Sequence, residues 1–307
     1  MIKSLVGYTG FVGSNIAANS EFDYLYNSKN ITNAFDSKPD LLIYAGVRAE
    51  MFLANSFPEK DFAQINNAFY NIQKISPKQV VLISTISVYG ENPCGDEDTE
   101  IDESVLTTYG KNRFWLEKKI TENFPNHLIV RLPALYGKNL KKNFIYDYMN
   151  IIPSMLKEEK FQELLSQNIK LIDFYQLQEN GLYKCRELSD MERCELKSFF
   201  MTCGFNAKNF TDSRACYQFY NLSYLWTHIQ KALQNRIHKL NITSEPVQIS
   251  ELYQYLEGKS FHNEIAKIPV NQDLHSKNAA IFGGANGYFF DKSFVFKDIK
   301  QFIKKEI

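Results

Sequence analysis

Apolar residues in the first half of the chain fall in short blocks: Ile2 to Val6, Asp23 to Tyr26, Leu41 to Ala45, Val80 to Ile83 and Leu128 to Val130. Each block has strand length, and Val80 to Ile83 is apolar throughout, the pattern of a strand buried on both faces. Between them Phe11 to Ala18, Glu59 to Ile75 and Thr107 to Asn123 read as helices. In the second of these, Phe62, Ile65, Phe69 and Ile72 recur close to a 3.6-residue period. Strands alternating with helices predict an α/β chain with a Rossmann-like, doubly wound parallel sheet. Ligands of such sheets lie at the carboxyl ends of the strands.

The second half has a different pattern. Asn150 to Phe210 reads as mostly helical, with Leu156, Phe161, Leu164, Leu165, Ile169 and Leu171 as apolar positions and Lys157 to Lys160 as a solvated face. Ala215 to Phe219 reads as a strand, Leu222 to Leu233 as a helix, Ile237 to Ile242 as a strand added to the main sheet, and Val295 to Lys304 as a closing helix. Gly283 to Gly287 introduces no helix in register and reads as a flexible loop. The expected division is a dinucleotide-binding domain over 1–150 and a smaller, mainly helical substrate lobe over 151–307, with some segments returning to the main sheet.

Charge narrows the partners. The 307 residues carry 35 basic and 35 acidic side chains, so net charge supplies no attraction to nucleic acid or an anionic membrane. No apolar run approaches the roughly 20 residues of a membrane span. The first strand begins at once, which leaves no room for a signal peptide. Cys94, Cys185, Cys194, Cys203 and Cys216 contain no Cys-x-x-Cys pair and match no common zinc spacing. Reduced thiols in a cytoplasmic protein are the expectation. The scattered histidines suggest no metal site.

The chemistry begins at Gly7-Tyr8-Thr9-Gly10-Phe11-Val12-Gly13, a glycine turn between the first strand and the first helix. Such a turn brings backbone N–H groups to the positive end of a helix, where a pyrophosphate can sit. After the fourth strand comes Ser84-Thr85-Ile86-Ser87-Val88-Tyr89-Gly90, and Tyr109-Gly110-Lys111-Asn112-Arg113 opens a later helix. Tyr109 and Arg113 stand at i, i+4, on one helix face. A cation beside a phenol lowers its pKa and readies it for proton transfer, and the Thr85 hydroxyl could bind the same substrate oxygen.

At these residues the chain resembles the extended short-chain dehydrogenases/reductases, the NAD-dependent epimerase/dehydratase family, in its nucleotide-sugar members. The landmarks are the glycine turn, Ser84 to Gly90, Tyr109 to Arg113, and Arg131-Leu132-Pro133-Ala134-Leu135-Tyr136-Gly137. Asp212-Ser213-Arg214 and the strand before Thr243 to Val247 resemble later family elements. The resemblance implies that Gly7, Gly10, Phe11, Val12 and Gly13 hold the pyrophosphate of a nicotinamide dinucleotide. It implies that Ala45 and Gly46 line the cofactor cleft and that Pro133 lies near the nicotinamide. It makes Tyr109 the general acid/base, Thr85 its hydrogen-bonding partner, and Arg113 the stand-in for a lysine that binds the nicotinamide ribose. A homodimer through the Tyr109 helix and its neighbour is implied in the same way.

Three departures matter. Arg113 replaces that lysine, keeping the charge with a larger, forked geometry. Asn27-Ser28-Lys29 stand where NAD-preferring sites put a carboxylate, which favours NADP over NAD. Ile86 and Ser87 stand where sugar dehydratases carry an Asp-Glu pair, which disfavours dehydration. Hydride-transfer reduction and epimerisation of a nucleotide-linked sugar both stay open. Arg214 is the first candidate for the substrate's diphosphate, with Arg48, Lys142 and Asn143 behind it. The rival readings are a non-catalytic NAD(P)-binding sensor or structural protein, and a scaffold without cofactor.

Overall fold

The computed structural model describes residues 1–306. Its main sheet has six strands: β1 (Lys3–Val6), β2 (Tyr24–Tyr26), β3 (Leu41–Tyr44), β4 (Val80–Thr85), β5 (His127–Leu132) and β6 (Lys239–Asn241). They lie in the order β2-β1-β3-β4-β5-β6, and every neighbouring pair is parallel. The order reverses between β1 and β3, which opens a crevice at their carboxyl ends.

Strand alternation divides the apolar residues between two faces. Leu5, Ile43, Val81 and Leu128 pack on one side with Ile16 of α1 (Phe11–Ala18) and Leu225 and Ile229 of α9 (Leu225–Gln234). Val6, Leu42, Val80 and Leu82 pack on the other with Ile65 and Ile72 of α3 (Pro58–Ile75) and Leu116 and Ile120 of α4 (Thr108–Asn123). The sheet is doubly wound, as its apolar blocks predict. A short α2 (Met51–Ser56) precedes α3.

The buried stripe of α3 differs from the one expected. Asp61, Ile65, Ala68, Asn71, Ile72 and Ile75 face inward. Phe62 is exposed, with its ring edge-on to Trp115 at 5.1 Å. The apolar period alone marked Phe62, because a charged residue does not register as a core position. Asp61 can occupy one because it has buried partners.

The segment read as mostly helical is mixed. Residues 155–157, 175–177 and 182–185 form a three-stranded antiparallel sheet. It packs with α6 (Glu158–Leu165), α7 (Leu171–Phe174) and α8 (Asp190–Thr202) around Leu156, Phe161, Leu164, Leu196 and Phe200. Strands of three or four residues are too short to show a period of two. Gly181, at φ 76°, closes the tight turn between the last two. The single strand expected at Ala215 to Phe219 is two. Cys216–Tyr217 pairs with Val247–Gln248, and Phe219–Asn221 runs parallel to Ala134–Tyr136. These pack with α5 (Phe144–Met149), α10 (Ile249–Glu257) and the closing α11 (Lys292–Glu306) in a fourth core. β6 joins β5 in parallel, as its sequence suggests. Among the described residues no helix is long and apolar enough to cross a membrane.

Candidate active site

The glycine turn is shaped by close packing. Gly7, at φ 89°, donates its N–H to the Tyr26 carbonyl at 2.7 Å, and a Cβ there would lie 2.4 Å from the Ala45 carbonyl oxygen. A Cβ on Gly13 would lie 2.1 Å from the Gly7 oxygen. No side chain fits at either place, so the backbone itself lines the crevice between β1, β2 and β3. Gly10 caps α1 without a side-chain bond. The first-turn amides of Phe11, Val12 and Gly13 have no acceptor within the described chain. Three free N–H groups at a helix start, with bare glycine beside them, fit a pyrophosphate.

Of the other cofactor candidates, Ala45, Gly46 and Asn27 lie against that turn. Ala45 ends β3 and bonds the Val6 carbonyl at 2.9 Å, with exposed Gly46 next to it. Half-buried Pro133 joins β5 to the strand Ala134–Tyr136. Beyond that strand, Gly137 packs so tightly on α1 that a Cβ would meet the Asn15 side chain at 2.9 Å. Asn27, Ser28 and Lys29 form the turn after β2. The Asn27 side chain lies 3.4 Å from the Tyr8 hydroxyl and caps the Lys29 amide at 2.9 Å. Lys29 is exposed and makes no ion pair among the described residues.

Tyr109 lies in the first turn of α4. Thr107 caps this helix, and the Tyr109 amide donates to Asn55 Oδ1 of α2 at 3.0 Å. Gly110 brings the helix onto the turn at 86–89, since a Cβ there would lie 2.5 Å from the Ser87 carbonyl oxygen. That turn is capped by Thr85, whose hydroxyl accepts from the Ser87 amide at 3.2 Å and lies beside the Tyr109 phenol. Ile86 is buried and Ser87 half-buried in the two positions after it.

Arg113 is 4 % exposed, and its guanidinium carbon stacks 3.8 Å from the centre of the Tyr109 ring. Its Nη1 donates to Asp61 and its Nη2 to the Arg48 carbonyl at 2.8 Å, while Nε has no partner. Asn112 donates to the same Asp61 oxygen at 2.8 Å. Burial pushes the Tyr109 phenol above its ordinary range; Arg113 and Thr85 pull it down, and the Asp61 charge pushes it up again. The expected lowering by the cation is present, but burial outweighs it.

Asp61 and Asn55 are the residues that pattern reading missed. The available signal for Asp61 was its place four residues before Ile65, a charge on the buried stripe of a helix.

The substrate candidates separate. Arg48 projects from the exposed loop after β3, and Lys142 reaches the same loop by donating to the Ala49 carbonyl at 2.6 Å. Asn143 is the cap of α5, accepting from the Ile145 and Tyr146 amides at 3.0 and 3.2 Å and donating to Leu135 at 2.8 Å. Arg214 is engaged by Asp212 at 3.0 and 2.8 Å, by Glu264 at 2.9 Å and by the Ala266 carbonyl at 2.7 Å. That guanidinium is paired within the fold and its side chain stays partly exposed. Asn143 is spent on backbone.

No model of a known protein family matches the chain, and no curated protein matches it in sequence. Solved structures do match in shape. The dTDP-4-dehydrorhamnose reductase of Yersinia enterocolitica superposes with a TM-score of 0.64 at 13% identity, over 100% of both chains. The dTDP-4-dehydrorhamnose reductase of Bacillus anthracis, solved in complex with NADP, gives 0.63 at 14% over 99% of both. The UDP-glucose 4-epimerase of Thermotoga maritima, solved with UDP-glucose, gives 0.63 at 12% over 99% of this chain and 98% of that one. The chain shares the fold of these nucleotide-sugar enzymes. At such identities the likeness establishes the fold, and the chemistry has to be argued from the side chains.

Proposed function

We propose that the chain is an NAD(P)-dependent reductase or epimerase of a nucleotide-linked sugar, an extended short-chain dehydrogenase/reductase, with Tyr109 as the acid/base. The observation that carries this is the buried Tyr109, held between the Thr85 hydroxyl and the Arg113 guanidinium, with Thr85 at the carboxyl end of β4 as the glycine turn is at that of β1. A bound nicotinamide would supply hydride chemistry. The backbone of Phe11, Val12 and Gly13 would hold its pyrophosphate, with Ala45, Gly46 and Pro133 lining the cleft and Lys29 offering a cation to a 2′-phosphate, which favours NADP. Tyr109 exchanges a proton with the substrate oxygen, and Thr85 orients that oxygen. Arg48 and Lys142, together at the loop after β3, and Arg214, farther along the chain, are the cations offered to the substrate's phosphates. We take residues 1–150 as the cofactor half and the later segments, apart from β6 and α9, as the substrate side.

Tyr109→Phe tests the reading. Turnover with a panel of nucleotide sugars should fall about 10²–10⁴-fold, with NADPH binding by calorimetry unchanged. Undiminished turnover would sink the assignment. A second reading, a cofactor-binding protein without catalysis, draws on the engagement of Arg113 by Asp61. NADPH binding with no hydride exchange on any nucleotide sugar would favour it.

A further inference from the structure

Arg113 stands where a free cation would act on Tyr109 most strongly, yet it is not free. Asp61, itself buried on α3, meets its Nη1, and the Arg48 carbonyl takes Nη2. The guanidinium is therefore held against the Tyr109 ring, with part of its charge offset by Asp61. The loop after β3, whose Arg48 carbonyl meets the guanidinium, carries Arg48 and Glu50, both exposed. α2 and β4 carry no titratable side chain, and in the 86–89 turn the Tyr89 hydroxyl is bound by Arg131 at 2.6 Å. On α4 itself Glu117 is paired with Arg131, and Lys111 is exposed. Arg113 and Asp61 are the charges that Tyr109 senses.

We propose that Asp61 is a positioning residue that makes Arg113 half of a neutral pair, so that Tyr109 is held as a proton donor and the site works as a carbonyl reductase rather than opening with oxidation of an alcohol. This rests on the reading of Tyr109 as the acid/base. An epimerase that begins by oxidising a carbinol needs a phenolate to accept the hydroxyl proton. A reductase needs the phenol. With a reduced nicotinamide bound as hydride source, the substrate's carbonyl carbon would accept the hydride with its electron pair, and the C=O π bond would break toward oxygen. The oxygen takes the Tyr109 proton as the Tyr109 O–H bond breaks. The alcohol leaves, the nicotinamide is left oxidised, and the Tyr109 phenolate recovers a proton from solvent. Burial of the phenol acts in the same direction as the neutral pair.

The test needs no substrate. The near-ultraviolet difference between wild type and Tyr109→Phe, read within milliseconds of a pH jump, isolates the ionisation of Tyr109. Asp61→Asn keeps an amide oxygen for Arg113 but unmasks its charge, and should move the midpoint down by about one pH unit. The double variant Asp61→Asn/Arg113→Gln removes both charges together and should bring the midpoint back up to wild type or less than a unit above it. It leaves no buried charge unpaired, so it remains measurable if the single variant does not fold. A midpoint that is unmoved or raised in Asp61→Asn, or raised by a full unit in the double variant, overturns the proposal. Direction is checked with UDP-glucose and oxidised NADP at pH 7. Neither a rise in absorbance at 340 nm nor an epimerised sugar is expected from wild type, and either one overturns the assignment to reduction. Failure of the underlying reading looks different: wild type that does not bind NADPH, or Tyr109→Phe with full turnover, removes Tyr109 from the chemistry whatever Asp61 does to its titration.

Discussion

Two buried arginine–carboxylate pairs meet helix α4 one turn apart, Arg113 with Asp61 and Arg131 with Glu117. The second is saturated. Arg131 donates from Nε and Nη2 to Glu117 and from Nη1 to the Tyr89 hydroxyl, and the Ser84 hydroxyl donates to Glu117 at 2.5 Å. Tyr89 in turn meets Asn241 of β6 at 3.0 Å. This network ties β4, α4, β5 and β6 into one unit. The first pair is incomplete, with Nε of Arg113 unpartnered and one face of its guanidinium given to Tyr109. Burial is alike in the two. What separates them is whether every donor is used inside the fold, and the pair with one to spare is the pair at the candidate chemistry.

The comparison can be broken most directly at Glu117. Glu117→Ala should cost about 3–5 kcal/mol in a denaturant titration, because it leaves the Arg131 charge buried and alone. The double change Glu117→Leu/Arg131→Met should recover most of that loss. A cost no larger than that of Asp61→Asn would mean that the two pairs serve the same purpose. Gly110→Ala comes next. Its methyl would collide with the Ser87 carbonyl and push Tyr109 away from Thr85. About 1–3 kcal/mol of stability should be lost, and turnover should fall at least tenfold while the Arg131 network keeps the fold. Full turnover in this variant would show that the Thr85–Tyr109 approach is not what matters.

A control lies outside both pairs. Burial pushes the carboxyl of Asp147, on α5, up to about 7. A raised folded-state pKa means that its contribution to stability is fully present below the ordinary carboxylate value near 3.8 and is lost as pH rises through about 7. Asp147→Asn should therefore raise the thermal midpoint at pH 8 and leave it unchanged at pH 3.5, with the gap opening in between. An equal gain at both ends would remove burial as the cause.

Much of the architecture was legible in local pattern. Val80 to Ile83 announced a strand covered on both sides, and the Gly7–Gly13 spacing announced a strand–turn–helix corner. Tyr109 and Arg113 were readable as neighbours because helix geometry places i and i+4 on one face. The legible part ended where strands shortened to three residues, as in 155–157 and 175–177, and where a polar residue was buried. Asp61 looked like the solvent side of a helix and Phe62 like its core; only a cationic partner could reverse them. The partners of Arg214 were hidden in the same way, since nothing near it in sequence except Asp212 hints at its pairing with Glu264 and the Ala266 carbonyl.

By itself, then, the sequence of this protein determined the doubly wound sheet, the bare glycine corner at its crevice and the pairing of a phenol with a cation. Those features depend on the period of apolar residues, on the steric freedom of glycine and on the pitch of a helix, all of which act within a few residues. Tertiary structure alone decided what charge that phenol meets. Asp61 comes to Arg113 across 52 residues of chain, from a different helix packed on the same face of the sheet. Electrostatics in a buried site follows distance in space, and no window along the chain contains that distance.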